Sequence, residues 1–281
     1  MAYKAEISRG NPTCFFFLID QSSSMVDPIM GVQGNPRKAE FVADALNKVI
    51  QTLIVTASKD LEIRNYYQIG AIGYGNVVGS AFSNLYGEQE LVWVDELYKK
   101  PLRIDERMKR ESDGAGGIIQ VPTKFPIWID PTANGRTPMC EALDRTKNIL
   151  EKWVKEHPMS FPPTVINLTD GEANDGDPRI AAQALRDLQT SDGNVILLTV
   201  HVSSSPFSQQ IFFPGVKEGL PDEPSKVMFD MCSPLTESMI KTAEDLLQIK
   251  LDKDAKGFVY NSGIEGIVSA LEIGTWPANL R

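Results

Sequence analysis

An apolar run, "CFFFLI" (14–19), ends in Asp20, with Ser22 and Ser24 immediately beyond it. Much further along, "NGRTPMCEAL" carries Thr137, and "TVINLT" (164–169) runs into "DGEANDGDP", headed by Asp170. All five side chains offer oxygen, and none offers sulfur or imidazole. A small set of hard oxygen donors suits Mg2+, with Mn2+ or Ca2+ as alternatives. Asp20, Ser22 and Ser24 are spaced by two, which in an extended or turning segment brings alternate side chains to one side. Hydroxyls lend a cation little charge, so a site with few direct carboxylates leaves it electrophilic and ready to accept a carboxylate from outside.

For residues so far apart to meet, strand ends must bring them together. In an open α/β sheet, ligands bind beyond the carboxyl ends of the strands, near the point where strand order reverses. The chain supplies such strands. Residues 13–19 read as a buried strand, 66–74 as a second with a hairpin partner at 77–83, and 164–169, 194–202 and 257–260 as three more. Helices fall between them. One covers 37–56 through Val42, Ala45, Leu46, Val49, Ile50, Leu53 and Ile54. Another follows Thr137, with Met139, Ala142, Leu143, Ile149, Leu150 and Trp153 on one face. A third starts at Asp177-Pro178 and runs to about Thr190, a fourth lies near 235–249 after a Pro/Ser/Gly-rich stretch (203–233), and a last is capped by Ser262 with Glu265. Alternating strands and helices predict an α/β fold: a doubly wound, mostly parallel sheet with helices on both faces. Residues 84–131 interrupt the alternation as an insertion. There "ELYKKPLRIDERMKR" has helix-like charge patterning, "DGAGG" (113–117) breaks it, and "IIQVPTKFPIWID" reads as short, proline-interrupted edge strands.

Composition narrows the partners. The chain has 281 residues, a formal net charge of −9 and 42% hydrophobic residues. An acidic chain is a poor binder of phosphate backbones, so no nucleic-acid partner is expected. The three cysteines, Cys14, Cys140 and Cys232, form no CxxC pair and point to free thiols in a reducing compartment. No signal-peptide core and no bilayer-length apolar stretch is present, so a cytoplasmic protein away from membranes is expected. Simpler readings compete for several residues. Thr137-Pro138 could be a helix cap with proline at the first turn, and Ser22–Ser24 an ordinary turn. Asp175 and Asp177 read as helix-start acids, since an EF-hand loop from Asp170 would need Gly at its sixth place and Glu at its twelfth, where Asp175 and Ala181 stand. The basic run 99–110 reads as a solvated helix face, and His157 and His201 as structural residues.

The pattern Asp-x-Ser-x-Ser in "DQSSS", then Thr137, then Asp170 before "TDGEAND", resembles the metal-ion-dependent adhesion site of the von Willebrand factor A (vWA) family. The likeness spans residue 12 to about 273 apart from the insertion, within a single domain of residues 1–281. It implies a six-stranded sheet with one antiparallel edge strand, and neighbouring first and fourth strands that set Asp20 beside Asp170. It also implies that Ser22, Ser24 and Thr137 contact the metal directly, while Asp20 and Asp170 act through water or hydrogen bonds. The distance from Ser24 to Thr137 exceeds the family's usual spacing, and the insertion accounts for it. The function implied is a binding module, not an enzyme, whose cation captures an acidic residue of a protein partner. "NGRTPMCEAL" is similar to bacterial stand-alone members, some associated with tellurium-resistance-type stress systems. That likeness implies a kinase, a phosphatase or an AAA+ ATPase of the same system as partner, the chain acting as an adaptor subunit in the last case. The competing class is a metal-dependent phosphohydrolase with Asp20 as nucleophile. It is weakened by Ser22, which stands where that chemistry needs a second Asp, and by the lack of a well-placed lysine.

Overall fold

The structure, a computed structural model, describes residues 3–30, 34–60, 62–112, 118–202, 210–262 and 264–275. In chain order its strands include β1 (Thr13–Asp20), β2 (Tyr67–Tyr74), β3 (Val78–Ser80), β4 (Leu91–Trp93), β5 (Arg103–Ser112), β6 (Ile118–Ile127), β7 (Thr164–Thr169), β8 (Ile196–Val202), β9 (Ile211–Phe212) and β10 (Phe258–Ser262). Its longer helices are α1 (Lys38–Thr56), α2 (Met139–Glu156), α3 (Pro178–Arg186), α4 (Glu223–Met231), α5 (Glu237–Leu247) and α6 (Ile264–Thr275).

The central sheet runs β9-β10-β8-β7-β1-β2-β3, with β4 also paired to β2. β10, β8, β7, β1 and β2 are parallel, while β3, β4 and β9 are antiparallel. The doubly wound, mostly parallel arrangement is the expected one. The strand count is eight rather than six, because antiparallel pieces of two or three residues extend both edges. β1 lies between β2 and β7 and is buried along its whole length, which is why its sequence shows no polar alternation. Its odd residues Phe15, Phe17 and Ile19 pack with Leu46, Ile50 and Leu53 of α1 and Ile267 and Leu271 of α6. Its even residues Cys14, Phe16 and Leu18 pack with Leu143, Leu150 and Trp153 of α2 and Leu185 of α3. One strand thus feeds two cores, one on each sheet face.

Three expectations need correction. The basic run is not a helix. Beyond a short helix at Val94–Lys99, β5 and β6 pair antiparallel, residue for residue from Arg103↔Ile127 to Ser112↔Ile118, in a hairpin separate from the central sheet. The alternation of "RIDERM" has a period of two, and a two-stranded ribbon has free edges at which Pro122 and Pro126 need no donor. Arg107 anchors the ribbon to α1, donating to both Asp44 oxygens (2.9 and 2.8 Å). The "DGAGG" break at 113–117 lies outside the described residues. Secondly, α3 stops at Arg186 instead of Thr190. The Asn194 side chain takes the carbonyl of Arg186 (3.0 Å), and Gln189–Thr190 turn back to pair with Gly193–Asn194. Thirdly, the stretch 203–233 contains α4. Asp222 accepts from the Ser225 N–H (2.8 Å), and Pro224 sits in the first turn. The cap expected from Ser262 and Glu265 falls partly outside the described residues.

The cysteines are free thiols: Cys14 and Cys232 buried, Cys140 half-buried. Burial raises all three, Cys140 to about 12 with Asp175 adding to the rise, and Cys232 to about 11. A thiolate reagent at pH 8 is therefore expected to modify none of the three on a timescale of minutes in the native protein, and all three in denaturant. Rapid native labelling of Cys140 is the result that contradicts this. Among the described residues, no helix is long and apolar enough to cross a membrane.

Candidate metal centre

Asp20 is the last residue of β1, fully buried between Tyr74 of β2 and the end of β7. Both its oxygens are engaged. Oδ1 accepts from the Ser22 N–H (2.8 Å), and Oδ2 accepts from the Thr169 hydroxyl (2.6 Å). Burial pushes its carboxyl above the ordinary carboxylate range, opposed by the hydrogen bonds from Thr169 and Ser22, and the negative charge of Asp170 adds to the rise. Complete burial, helped by the negative charges of Asp20 and Asp170, pushes the Tyr74 phenol well upward, so it stays protonated and donates to Asn167 Oδ1 (2.6 Å).

Because β1 and β7 are adjacent and parallel, with Ile19 opposite Leu168, Asp170 emerges beside Asp20. The chain leaves β1 for β2 on one side and reaches β7, β8 and β10 on the other, so both carboxylates stand at the switch point. Ser24 Oγ donates to Asp170 Oδ1 (2.7 Å), and Ser22 Oγ lies 2.9 Å from Ser24 Oγ. A hydroxyl has one proton, and that of Ser24 is used on Asp170, so Ser22 donates to Ser24. The relay Ser22→Ser24→Asp170 gathers three of the five expected residues, and the Ser22 N–H ties in Asp20.

Thr137 comes from the loop before α2, and two neighbouring loops hold that loop. Asn134 N–H donates to Gln21 O (2.6 Å), and Ser23 N–H donates to Gly135 O (3.1 Å). From the other side Asn174 N–H donates to Thr137 O (3.1 Å). With its amide turned to suit its neighbours, Asn174 also accepts from Thr137 N–H (2.9 Å) and donates to Thr137 O (3.3 Å). Thr137 does not cap α2: the helix begins at Met139, and Asp175 reaches across to accept from the N–H groups of Cys140 (3.1 Å) and Glu141 (2.9 Å). The Thr137 hydroxyl, on a residue only 8% exposed, bonds to no described residue. Asp177 caps α3 as expected, accepting from Arg179 N–H (3.0 Å).

Gly135 makes this docking possible. Its φ is +99°, and a Cβ there would run into the backbone of Asn76. Gly135→Ala is therefore expected to cost about 1–3 kcal/mol of stability. It should also weaken any divalent-cation binding that needs Thr137, a pair of effects that denaturation and calorimetry on one sample would read.

The sequence reading missed Lys38. It is the first residue of α1, 5% exposed, and its Nζ lies 2.7 Å from Asp170 Oδ2 and 3.6 Å from Asp27 Oδ2. No lysine was expected to be well placed for phosphoryl chemistry, and Lys38 stands against one of the acids. Helix termini favour anions at the N-terminal end, so a buried cation there runs against local preference, and no spacing rule announced it. Thr169 and Asn174 were also missed, being ordinary as residue types and informative only by position. Among the described residues no group of three or more His, Cys, Asp or Glu side chains that could hold a metal ion is found.

Surface grooves flank the centre. One of about 340 Å3 starts at Gly171 and Glu172 and runs along Met139, Asp177, Val227 and Met228. Another of about 670 Å3 is lined by Gly135, Arg136 and Pro138, which flank Thr137 in sequence, and by Asn174.

No protein-family model and no curated protein matches the chain. Solved structures similar to it include the vWF domain of the type V pili tip protein Mfa5 from Porphyromonas gingivalis. That match has 15% identity and a TM-score of 0.33, over 58% of this chain and 39% of that one. The ArnB paralog VWA2 from Sulfolobus acidocaldarius shares 15% identity at a TM-score of 0.35, over 71% and 36%. A D319A mutant of the PilB minor pilin from Streptococcus sanguinis shares 12% at 0.35, over 57% and 30%. The chain therefore spans well under half the length of each. These are distant likenesses of fold, and the strand order defines the class by itself: a doubly wound α/β protein with polar side chains gathered at its switch point.

Proposed function

We propose that the chain is a vWA-type binding module in which Asp20, Ser22, Ser24, Thr137 and Asp170 hold a divalent cation that captures a carboxylate of a protein partner. The observation carrying this reading is the relay Ser22→Ser24→Asp170 beside Asp20 at the switch point, with the Thr137 loop tied to the Ser23 backbone through Gly135. The all-oxygen donor set fits Mg2+ first, with Mn2+ and Ca2+ as alternatives. When bound, the cation supplies a positive charge with room for one more anionic ligand, and the grooves beside Thr137 and Gly171 would read the residues around the captured acid. A binding role is favoured over phosphohydrolysis. Lys38 restores one element that reading lacked, but Asp20, fully buried with both oxygens hydrogen-bonded, is poorly placed to attack a phosphorus. Three free thiols favour the cytoplasm, and the "NGRTPMCEAL" likeness favours a partner from a bacterial stress system, such as a kinase, a phosphatase or an AAA+ ATPase.

The test is capture from cell lysate by the immobilised chain in Mg2+, in EDTA, and with Asp20→Ala in Mg2+. Capture should require both the cation and Asp20. Calorimetry with MgCl2 should show Asp20→Ala weakening cation binding by about 10–100-fold, as loss of a hydrogen-bonded supporting carboxylate does. Equal capture under all three conditions removes the metal-bridged mechanism.

A further inference from the structure

Lys38 is not among the five donors, and the function proposed above gives it no role. Its placement is nevertheless specific. The ammonium is buried, it sits where the α1 dipole disfavours a cation, and it contacts the Asp170 oxygen opposite the one that Ser24 uses. Asp170 thus has one oxygen on a hydroxyl and the other on a full positive charge. Asp27, mostly exposed, is the second carboxylate within ion-pair distance of the ammonium.

We propose that Lys38 is a built-in counter-charge of the metal centre. It neutralises Asp170 so that the loops stay assembled without a cation, and by the same charge it lowers the affinity of the centre for a divalent cation. This rests on the proposed metal-binding reading and deepens it. Asp20 and Asp170 alone carry two negative charges, and Lys38 reduces their sum to one. A dication entering the cluster is therefore attracted by less charge and repelled by a fixed ammonium in contact with one of its own supporting acids. The ammonium cannot escape to bulk water without breaking the 2.7 Å contact, and its side chain is only 6% exposed.

Calorimetric titration of the full chain with MgCl2, together with thermal unfolding in EDTA and in MgCl2, tests this. Lys38→Met should bind Mg2+ about tenfold or more tightly than the wild type, while Lys38→Arg, which keeps the charge, should stay near it. In EDTA, Lys38→Met should melt below the wild type, and Mg2+ should raise its melting temperature more than it raises the wild type's. If Lys38→Met folds only in Mg2+, the dependence itself supports the proposal. If it folds in neither, Asp27→Asn decides the matter: freeing Lys38 from its second carboxylate should weaken Mg2+ binding, and unchanged or tighter binding overturns the proposal. Wild-type binding with an unaltered affinity in Lys38→Met overturns the counter-charge and leaves the metal-binding reading intact. Binding by Lys38→Met alone supports the counter-charge and removes the metal from the wild type's function. No binding by any variant overturns both.

Discussion

Asp170→Ala is expected to lower the unfolding free energy of the metal-free protein by about 3–5 kcal/mol, because it strands a buried charge. The Lys38 and Asp170 side chains are 6% and 1% exposed, so the pair has little water to fall back on. Removing the carboxylate leaves the ammonium with Asp27 alone, at 3.6 Å and largely in solvent, and leaves the Ser24 hydroxyl without its acceptor. Replacing both partners should cost much less. In Asp170→Ala combined with Lys38→Met no charge is left orphaned, and exchanging a buried pair for apolar groups is often close to neutral. Chemical denaturation in EDTA reads this as a fall in midpoint at unchanged slope for the single variant, recovered in large part by the double. A loss below about 1 kcal/mol in the single variant would mean that Lys38 swings out to water, and that the pair is worth no more than a surface one.

That pair also marks where sequence legibility ended. Asp20 and Asp170 were readable because each terminates an apolar run, and a buried strand can end in an acid only if something compensates it. The strands either side of them were readable for the same reason, and so were the faces of α1 and α2. The compensating groups were not. Lys38 sits at the start of a helix after a loop, in a place where a lysine ordinarily points to water. Asp175 looked like a start signal for α3 but caps α2, which lies next to it in space and not in sequence. Local rules see the periodicity of an element and its own caps. They do not see a side chain that closes a neighbour's orphan groups. The hairpin β5–β6 was misread for a related reason. Mixed charges at short spacing satisfy a helix or a ribbon equally well, and the choice fell to a partner strand and to the Arg107–Asp44 anchor.

Asn47 is the extreme case of such a hidden partner, and Asn47→Ala carries the other large expected effect. The residue lies on the buried face of α1 between Leu46 and Ile50 and is 1% exposed. Its Oδ1 accepts from the N–H groups of Trp128 (2.8 Å) and Ile129 (3.1 Å), and its Nδ2 donates to Ile129 O (2.9 Å). Among the described residues no strand pairs with the segment leaving β6, so one amide does the work of a strand. Alanine leaves two buried donors and one acceptor unpaired, at about 1–3 kcal/mol for each group that water cannot reach. Partial relaxation brings the expected loss to about 3–5 kcal/mol. Amide exchange at Trp128 and Ile129 should accelerate well beyond the change in global stability, which separates this cause from simple loss of side-chain volume. The consequence should reach the proposed metal centre. The chain runs from Ile129 directly to Asn134 and Gly135, whose bonds to Gln21 and Ser23 set the Thr137 loop against the serines. Asn47→Ala at a temperature where it remains folded is therefore expected to weaken Mg2+ binding while Asp20, Ser22 and Asp170 are untouched. An unchanged affinity in the folded variant would show that the Thr137 loop is held from the Asn174 side alone.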